Sequence, residues 1–464
     1  MSERTDVSAA DAVEAQAVRI WDDTLRTLPD SAAWVARARQ SLIDAGMVMN
    51  GQEAVRVARP ILLAAERLDR DQEVVGAVST ALASAATLAL EDDAVSSAYL
   101  GDWLNGSPLE ALVRLDPGYA TPIVYGRFDG GRVDGSLRIL EFNGGLPGGS
   151  TPADAVPAVM ASWEPAQALA QHFSIERLSV ATSMLGAIGT VWAEFGGSGA
   201  PFTVIAAPRE LAGSLEGGLR HVSEMAGRAG VEVVVADPGD LVYEGGRLRL
   251  DGRAIDVVVR AFFTSMAVTL GDRVQGIVDA VTAGDLCLVT SFRSGLLGHK
   301  ALFALVTDPA VDLDLSPVQR AAALAALPWT RMLVEGRTTD PAGDDVDLLA
   351  FAEREQSRLV LKPTAGYGGQ GVTLGWETAP EQWAANLQSA LGAGAWILQE
   401  RVVLSADEFP ELAEGFPMRA YTGDINPIVC SGRVAGYFNR LAATGGITNM
   451  SSGDGTTTGT LLLR

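Results

Sequence analysis

Only two cysteines, Cys287 and Cys430, occur in 464 residues. So few thiols in so long a chain argue against a disulfide scaffold. Their surroundings, "GDLCLVTS" and "PIVCSG", read as packed structure rather than reactive sites. Histidine is almost as scarce: His172, His221 and His299 fall at no metal-ligand spacing, although His299 stands beside Lys300. Basic charge is the third shortage. Thirty-five Lys and Arg against 57 Asp and Glu leave a net charge of -22. That balance excludes a broad nucleic-acid surface and disfavours anionic membranes. It still admits an anionic small ligand, because a few local cations and a divalent metal can reverse the field of one cleft.

Several motifs are also absent. No GxGxxG follows the first strand of the βαβ-like region, no GxxxxGK[ST] occurs, and no GxSxG elbow appears. A dinucleotide fingerprint, a P-loop and a serine nucleophile are therefore unsupported. There is no fixed-period repeat. The opening "MSERTDVSAADAVEAQ" is acidic and polar, unlike a signal peptide, and "VVGAVSTALASAATLALEDD" reads as a buried helix rather than a membrane span. A cytoplasmic location is expected.

What is present is a chain rich in apolar residues, at 48%, with 51 glycines. It is long enough for two or three packed domains. Residues 1–110 read as helical, a layer serving as a substrate cover or a dimer surface. Residues 111–176 hold short strands around "DGGRVDGS", a strong hairpin signal. Residues 177–300 alternate strand and helix, as in a βαβ unit on a parallel sheet. Residues 301–464 begin helical, over 303–350, and end β-rich.

Two stretches carry the chemistry. In "LVLKPTAGYGGQGVTLG", strand residues lead to Lys362, and Gly366, Gly368, Gly369 and Gly371 crowd one turn before a strand resumes. Glycines let backbone N–H groups approach phosphates, and a lysine at a strand end supplies a point charge. Downstream, "AWILQERV" reads as an apolar edge strand whose Gln399 and Glu400 could line a base and its ribose. A structural hairpin and an ordinary half-buried strand are the alternative readings. In "LRILEFNGGLPGG", Glu141 and Asn143 are two apart and so share one face of a strand. A polar-edged strand entering a turn is the alternative there.

Together these residues resemble the ATP-grasp superfamily. "VLKPTAGYGGQGVTLG" is similar to its glycine hairpin and "WILQERV" to its adenine-side strand. The order of motifs resembles the circularly permuted branch, which includes glutathionylspermidine synthetase-like carboxylate–amine ligases. There an Arg-x-Asp motif precedes a Glu-x-Asn motif, matched here by Arg127 and Asp129 in "GRFDG", twelve residues before Glu141. The resemblance spans roughly 115–464, in islands. It implies a mixed α/β (α+β) fold with a Rossmann-like preATP-grasp part over 177–300. It implies Mg2+ on Asp129, Glu141 and Asn143, with Arg127, Lys362 and Arg440 in catalysis. It also implies ATP held by Lys300 of "LLGHKALFAL", Lys362, the glycines, Gln399, Glu400 and Arg419 of "FPMRAYTG". The implied reaction activates a small-molecule or peptide carboxylate as an acylphosphate and joins it to an amine. A nucleotide sensor without turnover and a small-molecule kinase are the alternatives. Asp424 and Asn426 in "TGDINPIV" form a rival metal pair, but that stretch reads as a tight turn. The family's C-terminal tail is loosely echoed by "GGITNMSSGDGTTTG".

Overall fold

The computed structural model describes residues 8–49, 51–366, 368–443 and 455–464. Most of the tail segment "GGITNMSSGDGTTTG" lies outside them.

The central feature is a six-stranded antiparallel sheet assembled from distant parts of the chain. Tyr125–Val133 and Ser136–Gly144 form a hairpin on Asp134 and Gly135, both at positive φ as a two-residue turn requires. Tyr125–Val133 also pairs with Met418–Cys430, and the order continues through Arg433–Ala442 to Gly455–Thr458. Ala406–Pro410 flanks Met418–Cys430. Segment 111–176 and the end of 301–464 therefore share one sheet.

The hairpin is not regular. Asp129 pairs with Glu141, but the next residue, Gly130, pairs with Ile139, so Leu140 is an extra residue. This β-bulge inverts the side-chain alternation. Leu137 and Ile139 face the core, and beyond the bulge Phe142 does, while Glu141 and Asn143 turn to the opposite face. Gly130 is required there: a Cβ would sit 2.0 Å from the Arg138 carbonyl oxygen.

The second sheet is parallel, in the order Cys287–Val289, Val257–Arg260, Thr203–Ala206, Val233–Ala236. The strands are Val-rich and mostly buried, as expected of a sheet covered on both faces. The third is antiparallel, in the order Thr330–Met332, Trp396–Glu400, Leu359–Pro363, Thr373–Leu374. The glycine loop connects the last two of these in space. Trp396–Glu400 is thus a central strand, not the edge strand that its sequence suggests.

Three further expectations are corrected. "TGDINP" is no turn: it lies within the thirteen-residue strand Met418–Cys430. Pro427 is tolerated because the ladder to Tyr125–Val133 starts only at Ile428, opposite Arg127, while Asn426 Oδ1 accepts the Gly130 N–H at 3.0 Å. Segment 303–350 is not simply helical: Thr330–Met332 and the hairpin of Arg337–Thr339 with Asp345–Asp347 interrupt it. Residues 1–110 include a strand, Ile61–Ala64, beside the four main helices. It pairs in parallel with Thr460–Leu463, which also pairs with Ile175–Glu176.

Ala65–Glu91 is the one helix among the described residues long and apolar enough to cross a membrane. Its stripe of Val75, Val78, Leu82, Ala85 and Ala89 is buried, with the i, i+3, i+4 spacing of a core-facing helix. It packs on Pro317–Ala326, Ala301–Thr307 and the central sheet. Asp71 fixes it there, accepting from Arg132 Nη2 at 2.6 Å and Tyr437 Oη at 2.7 Å.

Candidate active site

A cavity of about 710 Å³ lies between the central sheet and the glycine-loop sheet. Its two ends differ. One is apolar, lined by Val360, Val372, Leu374, Trp376, Val402 and Val403, with Glu400 at its edge. The Arg401 guanidinium stacks 4.1 Å from the Trp376 ring centroid. The other end is charged, and it gathers residues from four distant segments.

The hairpin contributes Arg127, Asp129, Glu141 and Asn143 on one face. Arg127 holds Asp129 through Nε to Oδ1 at 2.5 Å and Nη2 to Oδ2 at 3.0 Å, and donates Nη1 to the Gly148 carbonyl at 2.6 Å. Arg440 Nη2 bridges Asp129 Oδ2 at 3.1 Å and Asp424 Oδ2 at 2.8 Å. Burial works against charge on Asp129, but Arg127 and Arg440 outweigh it and hold the carboxyl below its usual range.

The two lysines arrive from opposite sides. Lys300 Nζ donates to the Gly366 carbonyl at 2.9 Å and lies 3.4 Å from Glu141 Oε2. Its backbone N–H donates to Thr364 O, also at 2.9 Å, which ties the base of the glycine loop to the helix Ala301–Thr307. Lys362 Nζ donates to Gln399 Oε1 at 2.7 Å. Burial pushes the Lys362 ammonium down to about 8, with the Lys300 charge adding to it and Glu141 and Asp129 opposing. Gln399 is itself held, its Nε2 donating to Thr330 Oγ1 at 3.2 Å and Leu140 O at 3.3 Å. Gln399 therefore orients Lys362.

Gly366, Gly368, Gly369 and Gly371 all have positive φ, between 69° and 116°. Around Gly366 and Gly368 a Cβ would meet nothing within 4 Å, so conformation rather than crowding calls for glycine. Gly366, Gly368 and Gly369 line the cavity, whereas a Cβ on Gly371 would touch Pro363 and Trp396.

Most residues nominated from sequence thus meet in one place: Arg127, Asp129, Glu141, Asn143, Lys300, Lys362, Gln399, Glu400 and Arg440 all line the cavity. Arg419 does not join them. It is exposed on a separate 310 Å³ surface pocket, paired with Glu411 at 3.2 Å. In the rival pair only Asp424 reaches the cavity. Asn426 is fully buried and both ends of its amide are engaged, by the Gly130 N–H and by Phe438 O at 2.9 Å. Arg440 joins Asp424 to Asp129, so the two carboxylates share one arginine.

The cavity fits magnesium in the kind of donor it offers. Asp129, Glu141, Asp424 and the Asn143 amide are oxygen donors, the ligands a hard cation takes. Among the described residues no three His, Cys, Asp or Glu side chains are grouped as a metal-ligand set. Glu141 and Asn143 are the two donors not bound up with an arginine pair.

The chain has a mixed α/β fold, and its overall arrangement is shared with a solved structure at low sequence identity. Among solved structures, the chain is similar to a glutathione synthetase-like effector from Globodera pallida, in its apo form. The two share 13% identity and a TM-score of 0.57 over 92% of this chain and 96% of that one. A putative γ-glutamylcysteine synthetase from Methylobacillus flagellatus aligns over 82% of this chain and 87% of its own, at 13% identity and TM-score 0.40. No family model and no curated protein matches the chain.

Proposed function

We propose that the protein is an ATP-dependent carboxylate–amine ligase of circularly permuted ATP-grasp type. The observation that carries this is the two-ended cavity. Lys300, Lys362, Arg127 and Arg440 converge at one end in a chain of net charge -22, and an apolar slot lies at the other. That is the shape and polarity of a nucleoside triphosphate. The permuted order is supported by the position of the Arg127–Asn143 hairpin, early in sequence but paired with Met418–Cys430. On this reading the parallel sheet over 203–289 is the preATP-grasp part.

In the proposed reaction the adenine occupies the slot near Val360, Trp376 and Val402, with Glu400 toward the ribose. Lys362 and Lys300 bind the phosphates, and the loop N–H groups close over them. Glu141 and Asn143 would hold magnesium, which would supply charge neutralisation and polarisation of the terminal phosphate. A substrate carboxylate oxygen attacks the γ-phosphorus, the bond to the β-phosphate oxygen breaks, and ADP leaves with the bonding pair. Arg127 holds the transferred phosphoryl group by its planar fork once Asp129 yields. An amine then attacks the acyl carbon, phosphate leaves and an amide forms. The glycine loop excludes water from the acylphosphate.

Calorimetric titration of ATP, with and without Mg2+, tests the reading on wild type and Glu141→Gln. Wild type is expected to bind ATP more tightly with Mg2+, and Glu141→Gln to lose about tenfold or more of that gain. Folded wild type that fails to bind ATP sinks the proposal. An amide product separates a ligase from a kinase.

A further inference from the structure

Beside the cavity lies a smaller recess of 140 Å³ at the carboxyl end of the parallel sheet. It shares Asn143, Gly144, Lys300 and Gly366 with the larger cavity, so the two adjoin at the charged end. Its volume is below the roughly 300–1,000 Å³ of pockets for drug-sized ligands, which limits an occupant to a small molecule.

Two buried polar side chains on its wall lack what their chemistry calls for. Arg260 closes the strand Val257–Arg260 and is 1% exposed. Its guanidinium donates to Thr290 O at 2.9 Å, Ser291 O at 3.1 Å, Phe262 O and Ser294 Oγ at 2.6 Å. All of these are neutral, and among the described residues no carboxylate is in ion-pair range. Buried charges are normally paired, because neutral acceptors offset only part of the lost hydration. His299 is 2% exposed, and both its ring nitrogens lack a hydrogen-bond partner among the described residues. Burial and Lys300 keep the ring neutral, pushed down to about 3, so it offers one donor and one acceptor. The Trp103 ring covers it at 4.5 Å between centroids, bringing the N-terminal region to this wall.

We propose that the recess is the subsite for a small acid with two anionic groups, such as a dicarboxylate or an acidic amino acid. Arg260 pairs with the non-reacting anionic group, His299 hydrogen-bonds the molecule between, and the second carboxylate faces Lys300 and Gly366. This deepens the ligase reading and rests on it for the chemistry, but acid binding is measurable without nucleotide.

Calorimetry on the ATP-free protein tests it with succinate, glutarate, L-aspartate and L-glutamate. Each is compared with its half-amide: succinamate, glutaramate, L-asparagine or L-glutamine. At least one diacid is expected to bind, and its half-amide to bind about 100-fold more weakly. Arg260→Gln should abolish the preference for diacid over half-amide while ATP binding, the check on folding, stays unchanged. Ser294→Ala, a smaller change on the same wall, should weaken the diacid several-fold. Binding of none of the four diacids, or equal binding of diacid and half-amide, overturns the subsite. Loss of ATP binding by wild type strikes the ligase reading instead.

Discussion

Lys362 shows how a single position is tuned by its surroundings. It is half-buried and lies near a second lysine, and desolvation pushes its ammonium down to about 8. Phosphate binds the protonated form, so ATP affinity should be flat below pH 8 and fall as pH rises above it. The slope is at most about tenfold per pH unit. Titrations at pH 7, 8 and 9 check this, and Lys362→Arg, which keeps its charge throughout, should remove the slope. Lys362, Glu141 and Asn143 were legible in sequence because each is marked by its neighbours: a strand end, a glycine run, a two-residue spacing. Arg419 was not placed correctly, since a strand of thirteen residues carries its two ends to different surroundings. Arg260 is silent in sequence, because an arginine ending "DVVVR" looks like any strand terminus. Only the fold shows that it has no acid beside it.

At the scale of elements, the bulge at Leu140 does the most. Without it Glu141 would share the face of Ile139 and point into the core. Gly130→Ala puts a Cβ against the Arg138 carbonyl and should destabilise the protein by about 1–3 kcal/mol. In urea the midpoint should fall with an unchanged slope, and ATP binding should weaken as Glu141 shifts. The hairpin was legible from the turn residues of "DGGRVDGS", but only Asp134 and Gly135 of that stretch make the turn, while residues 129–133 belong to the strand Tyr125–Val133. The bulge was not legible, because it depends on which residue of one strand opposes which of the other. The "TGDINP" strand was hidden for a related reason. Turn-forming residues are overridden where a side-chain amide replaces the missing backbone bond, a tertiary arrangement that local propensity does not encode.

At the scale of the molecule, the mixed α/β character was legible from the alternation of strand and helix. The assembly of the central sheet from residues 125–144 and 418–458 was not, for nothing local announces a partner so far along the chain. The last strand makes the same point. Thr460–Leu463 sits between Ile61–Ala64 and Ile175–Glu176, with Leu461, Leu462 and Leu463 buried. Removing residues 460–464 gives up the burial of three leucines, at about 1.5–3 kcal/mol each, and leaves two strands unpaired. The truncated chain should melt well below the untruncated one or fail to stay soluble, as differential scanning calorimetry and centrifugation would show.

The long reach of the central sheet has a consequence during synthesis. Arg127 leaves the ribosome about 300 residues ahead of Ile428, the residue it is to face. At roughly 5–20 residues per second that is an interval on the order of 15–60 s. Throughout it the Tyr125–Val133 edge has no neighbour of its own and can pair with any strand it meets. The nascent protein is therefore exposed to mispairing for as long as translation lasts. Slower elongation between these segments should lower the yield of active protein without changing the stability of the molecules that finish.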